Sequence, residues 1–249
     1  MTALLLTHTK YGLLETLRIP IVVVSVIVLP SLSFVFFALP NISDDPLGAT
    51  ASTVGLSVFA AMLICLFQFG AGIAEERQQP WDPYLRTLPV RPWQRLTGKL
   101  MVALPFAVVA VLPLIVLAWS TTNADPGWLR VLAGLGALVI GSLPLALIGV
   151  ALGNALPSKA AIAVANLLLL PFAFLGGLFI PPEFLPDIVQ TVSPYVPTRG
   201  WLEIVMIGAT GQGGMEATSG VALVSWCGWL VIAAGLALLA YRREESRYR

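Results

Sequence analysis

The stretch AMLICLFQFGAGIAEERQQPWDPY, from Ala61 to Tyr84, decides the fold. No charged side chain appears before Glu75; Glu75, Glu76 and Arg77 then end the apolar run abruptly. Beyond them Trp81, Asp82, Pro83 and Tyr84 open a polar, basic stretch that runs to Lys99. Followed backwards, the apolar run begins at Gly48 and exceeds the roughly 20 residues that cross about 30 Å of hydrocarbon. A lipid-embedded helix that ends in a large charged loop is therefore the unit from which the rest is read.

The same pattern recurs along the chain. Its 249 residues are 57% hydrophobic and 11% charged, whereas soluble domains carry about 25% charged residues. Six membrane-length segments follow: Ile19–Leu39, Gly48–Ile73, Leu100–Ser120, Trp128–Gly153, Ala160–Ile180 and Val221–Tyr241. Only Arg130 intrudes, close enough to one end of its span to reach the interface. The expected fold is all-α: one polytopic transmembrane domain over residues 1–249 with six transmembrane helices, an N-terminal interfacial helix and short re-entrant outer helices between spans five and six.

Charge placement orients this scaffold. Of fourteen Lys and Arg residues, only Arg130 and Arg199 fall on one side, which the positive-inside bias makes the outer one. Both termini are then cytoplasmic. The first apolar run is too long for the core of a cleavable signal peptide. Cys65 and Cys227 fall inside spans two and six, where they read as small apolar packing residues.

Ahead of the first span, Leu6, Lys10, Leu13, Leu14 and Leu17 recur at helical spacing. They suit a helix lying on the leaflet or a plain extension of span one. The segment 181–220 is too polar and too broken by proline to span. It holds two short amphipathic pieces, 183–192 and 201–206, with Arg199 and Glu203 spaced to pair across one helical turn. A cap over an outward exit and a structural hairpin both fit it.

Absences narrow the class. One histidine, His8, cannot furnish a haem or di-histidine metal subunit. The spans hold no Asp, Glu or His for a proton relay and no nucleophile–base pair for hydrolysis. Gly98-Lys99 lacks the upstream glycine of a phosphate-binding loop. Energy for any active transport must come from another subunit.

The loop 74–99 carries the interaction signal. Its arginines alone read as topology signals and lipid head-group partners. Trp81, Tyr84 and Leu85 among charges and prolines look instead like the aromatic anchors of a protein contact. Asp82 suits an N-cap and Pro83 the first turn of a short helix ending before Pro89.

Several motifs, in this order, resemble the permease subunits of ATP-binding-cassette (ABC) transporters of the type 2 exporter family, which includes drug, antibiotic and polysaccharide exporters. They are Arg18-Ile19-Pro20 entering span one, Glu75-Glu76-Arg77 leaving span two, Thr87-Leu88-Pro89-Val90-Arg91, Gly98-Lys99 opening span three, and Gly177-Leu178-Phe179-Ile180-Pro181-Pro182 with Leu185-Pro186, Pro194 and Pro197. Family members usually carry a Gly-Thr step after the acidic cluster, where this chain has Gln78-Gln79-Pro80-Trp81-Asp82-Pro83.

The resemblance implies a bacterial inner-membrane permease that pairs with a second permease, as homo- or heterodimer, and rests on a separate ATPase subunit. ATP and Mg would bind that partner, and no cofactor or metal this chain; membrane lipid surrounds it and nucleic acid plays no part. Trp81, Asp82, Tyr84, Leu85 and Arg86 would form the ATPase-coupling helix, tied by Glu75, Glu76 and Arg77 to the end of span two. Phe67, Gln68, Asn166 and Phe172 would line a pathway between spans two and five. The nearly charge-free spans suit a hydrophobic or amphipathic cargo such as a drug, antibiotic or lipid. Two alternatives stand beside this: a permease-like antibiotic sensor, and an ATP-independent carrier or structural subunit.

Overall fold

A computed structural model describes residues 28–42, 46–80, 92–122, 127–180, 186–211 and 219–246. Helix is the only regular structure among them. The chain runs through α1 (Leu29–Ser33), a π turn (Phe34–Ala38), α2 (Leu39–Ile42) and α3 (Pro46–Leu66). A second π segment (Phe67–Gly72) and α4 (Ile73–Glu76) continue the line of α3. Then come α5 (Pro92–Thr121), α6 (Trp128–Gly141), α7 (Leu143–Ala155) and α8 (Ser158–Leu175). After α9 (Asp187–Val192) and a 3-10 turn (Ser193–Tyr195), α10 (Pro197–Thr210) and α11 (Ser219–Ser246) complete the fold.

Four helical runs among the described residues are long and apolar enough to cross a membrane: Gly48–Glu76, Trp128–Ala155, Ser158–Leu175 and Gly220–Glu244. They coincide with expected spans two, four, five and six. Expected span three lies within α5, whose apolar part, Pro105–Thr121, is shorter. The interfacial helix and the first part of span one, up to residue 27, lie outside the described residues.

The run Gly48–Glu76 is the axis of the bundle. Its apolar window is 83% buried, against 17% for Ser158–Leu175 and for Gly220–Glu244. Met62, Leu66 and Phe69 from this axis meet Phe106, Leu145 and Trp201 in one core. The peripheral helices present Leu167, Leu170, Val224 and Val231 outward, as lipid or a second subunit would require.

The fourth span breaks at Gly141–Ser142 because Pro144, in the first turn of α7, has no N–H for the carbonyl four residues back. Two indoles pin this break. Trp201 Nε1 donates to the Leu138 carbonyl and Trp226 Nε1 to the Gly141 carbonyl, each at 3.0 Å. A buried indole N–H needs such a partner. Gly141 leaves room for it, since a Cβ there would overlap the Trp201 ring.

Helix α10 departs from expectation. The sequence suggested a short piece over 201–206 at the outer interface, but the structure holds a helix over Pro197–Thr210 inside the bundle. It runs antiparallel to α6: Trp201 faces Gly141, and Ala209 faces Gly134. It thus starts beside the middle of the fourth span and ends near Arg130. The glycines explain the insertion. Gly141, Gly200 and Gly208 leave no space for a Cβ against the neighbouring helices, and small residues allow such close approach in lipid. The pairing anticipated from spacing is present, with Arg199 Nη2 2.9 Å from Glu203 Oε1; Glu203 is buried and Arg199 partly so.

Candidate functional site

The described residue nearest the charged loop with the richest contacts is Arg77. It follows α4, at the end of the axial run, and its guanidinium reaches two other helices. Nε donates to Glu244 Oε1 on α11 at 2.7 Å, and one Nη donates to the Gly153 carbonyl on α7, also at 2.7 Å. The ends of spans two, four and six thus meet on one side chain.

Each contact has a local cause. The Gly153 carbonyl lies in the last turn of α7, where helix carbonyls lack intrahelical donors. Its regular partner would be residue 157, a proline without an N–H. A cation at a helix C-terminus satisfies both the lone pair and the helix dipole. Glu244 lies near the C-terminus of α11, the end that disfavours an anion, and its side chain is only 5% exposed. Buried there, it needs a cation hydrogen-bonded to it, and Arg77 is that cation.

The axis is shaped to bring Arg77 to this point. Its last six residues before α4, Phe67–Gly72, are π-helical, an irregularity frequent at functional sites. Gly149 and Gly153 of α7 pack straight onto it. A Cβ on Gly149 would overlap the Cys65 carbonyl, and one on Gly153 would sit 2.6 Å from the Phe69 carbonyl. This pair, four residues apart, lets α7 lie against the axis with almost no intervening side chain.

Other sequence-predicted residues are placed as follows. Glu75 and Glu76 are exposed beside Arg77. Trp81, Asp82, Tyr84, Leu85 and Arg86 lie outside the described residues. Phe67 and Gln68 are half-buried at the start of the π segment, with Phe67 against the core. Phe172 packs edge-on to Trp229 at 6.3 Å. Asn166 is exposed on α8, its amide donating to the Ile162 carbonyl at 3.0 Å. The π segment and α8 are in contact, so the two elements expected to line a pathway are neighbours.

Sequence reasoning missed Glu244 and Gly153. Glu244 sits 167 residues from Arg77 among charges that read as an ordinary tail after the last span. The proline four residues beyond Gly153 was the available signal, since it leaves one carbonyl in need of a donor.

A helical bundle with apolar spans, a broken fourth span and an inserted half-helix defines a polytopic α-helical membrane protein. Within that class, residues 4–209 match the family described as ABC-2 type transporter, and the chain belongs to that family. It is also similar to the protein named "Putative transport permease YvfS" of Bacillus subtilis (strain 168), at 24% identity over 160 residues. That alignment covers 64% of each chain, so this chain matches just under two thirds of its relative's length.

Proposed function

We propose that this chain is the membrane-spanning permease subunit of an ATP-driven exporter, coupled to a separate ATPase subunit and paired with a second permease. ATP and Mg belong to the ATPase. The Arg77 end of the bundle faces the cytoplasm, as the basic residues gathered there favour, and the membrane is the bacterial inner membrane. The cargo is hydrophobic or amphipathic, in keeping with the apolar spans. Phe67, Gln68, Asn166 and Phe172 are its proposed contacts.

The observation that carries this reading is the clasp at Arg77. The residues proposed to dock on the ATPase, Trp81, Asp82, Tyr84, Leu85 and Arg86, begin a few positions beyond a side chain that ties three helix ends together. A push on that loop would reach spans two, four and six together instead of bending one helix. Glu75 and Glu76 are exposed beside it, on the side from which the loop continues.

The test is a pull-down of the tagged full-length chain from its native membrane in mild detergent. We expect a stoichiometric ATPase with Walker motifs in the eluate, lost when Trp81, Tyr84 and Leu85 are replaced by alanine. Recovery of other membrane complexes without any ATPase would overturn the proposal.

A further inference from the structure

The end of the bundle opposite Arg77 holds a cleft of about 640 Å³, counted with the space open to its surroundings. The start of the axis supplies Thr50, Thr53 and Ser57. Helix α5 supplies Val111, Ile115 and Trp119, a stripe at four-residue spacing on one helix face. The start of α6 adds Arg130 and Val131, and α10 adds Val205 and Ala209. The described part of the first span does not cover it: Phe34 and Ala38 pack on Leu56, Leu114 and Ala118, residues outside the cleft lining.

Its polar groups are unequal. The hydroxyls of Thr53 and Ser57 donate to the carbonyls of Ala49 and Thr53 at 2.7 Å, so their protons are committed to their own helix. Arg130 is exposed, and its guanidinium lies beside Gly211 at the end of α10. Among the described residues it is the one cation in the cleft lining. The site lies within the span lengths, with Thr50 just inside Gly48–Glu76 and Arg130 just inside Trp128–Ala155. Trp119 and Trp128 are exposed at the same end, the position of an interfacial aromatic belt.

We infer that this cleft binds an anionic lipid drawn from the surrounding leaflet, its acidic head on Arg130 and a hydrocarbon chain between the axis, α5 and α10. A neutral apolar ligand would have no use for the guanidinium, and a free anion none for the apolar walls. Together they fit an amphiphile. The guanidinium's planar fork matches the oxygens of a phosphate or carboxylate, while an arginine stem is suited to lie along apolar surface. The inference rests on the membrane placement of these helices and not on ATP coupling. Binding is read without nucleotide, so either proposal can fail alone.

The experiment is native mass spectrometry of the purified full-length chain in detergent, with phosphatidylglycerol, phosphatidylcholine of the same acyl chains, or inorganic phosphate. Phosphatidylglycerol should be retained roughly tenfold or more over phosphatidylcholine, the scale of one charge-assisted hydrogen bond. Arg130→Gln should bring the two lipids to parity, and Arg130→Lys should restore part of the preference. Val131→Trp, which fills the cleft, should lower retention of both. Should Arg130→Gln misfold, the other two variants still decide. Equal retention of the two lipids by the wild type, a preference that survives Arg130→Gln, or displacement of phosphatidylglycerol by inorganic phosphate would each overturn the inference.

Discussion

Arg77 and Arg130 mark opposite ends of one bundle, and the protein holds them in opposite ways. Arg77 is largely buried, bonded to a carboxylate and to a carbonyl left without a donor by a proline. Arg130 is exposed at the rim of a cleft, with no ion pair among the described residues. A cation fixed by three helices transmits force, because moving it moves all three. One held on a single helix at an open cleft remains available to a ligand. The residue type is the same, and the number of helices sharing it sets the role.

The comparison breaks first at Glu244. Glu244→Ala would leave Arg77 buried without its counter-ion, and chemical unfolding in detergent should show a loss of about 3–5 kcal/mol. The double change Arg77→Met with Glu244→Leu removes both charges and should recover most of that loss, since apolar replacement of a buried pair is often neutral or stabilising. If the single and double variants were equally unstable, the carboxylate would not be what Arg77 balances.

Next comes the packing that aims the axis. Gly149→Ala forces a methyl onto the Cys65 carbonyl and should cost about 1–3 kcal/mol as an overpacked contact, visible as a lowered Tm. Trp201→Phe replaces the buried indole with a smaller phenyl ring and removes the donor to Leu138. It should cost the net worth of one hydrogen bond, about 0.5–1.5 kcal/mol, plus the packing lost to the smaller ring. Arg130→Gln should change stability by less than about 0.5 kcal/mol, as surface changes usually do. A large loss there would mean that Arg130 is also structural, and the contrast between the ends would narrow.

Much of this fold was legible because membranes impose simple rules. Apolar length located spans two, four, five and six, and the charge at Glu75–Arg77 marked where the axis ends. The Arg199–Glu203 pair was legible too, being one helical turn apart. The depth of α10 was not. Its polarity and prolines suggested an interfacial piece, while its insertion depends on glycines of α6 that face it only in three dimensions. The clasp was hidden for a similar reason. Arg77 and Glu244 lie on helices at opposite ends of the sequence, and no local pattern reports a contact between helix ends. The cleft near Arg130 is half-visible in the sequence: Arg130 stands out as the lone charge in a span, but its place near the span's end carries no hint of the walls beside it.

The central claim, which rests on the proposed ATPase partner, is that the helix ends joined by Arg77 move as one body when that partner acts. The direct measurement is the distance between spin labels at Gln78→Cys and Arg242→Cys, in a Cys65→Ala, Cys227→Ala background, within the assembled complex. The account predicts one narrow distance, unchanged between the nucleotide-free and ATP-trapped states, that broadens when Arg77→Met and Glu244→Leu are added. A distance that shifts between the two nucleotide states in the protein with Arg77 and Glu244 intact would contradict it.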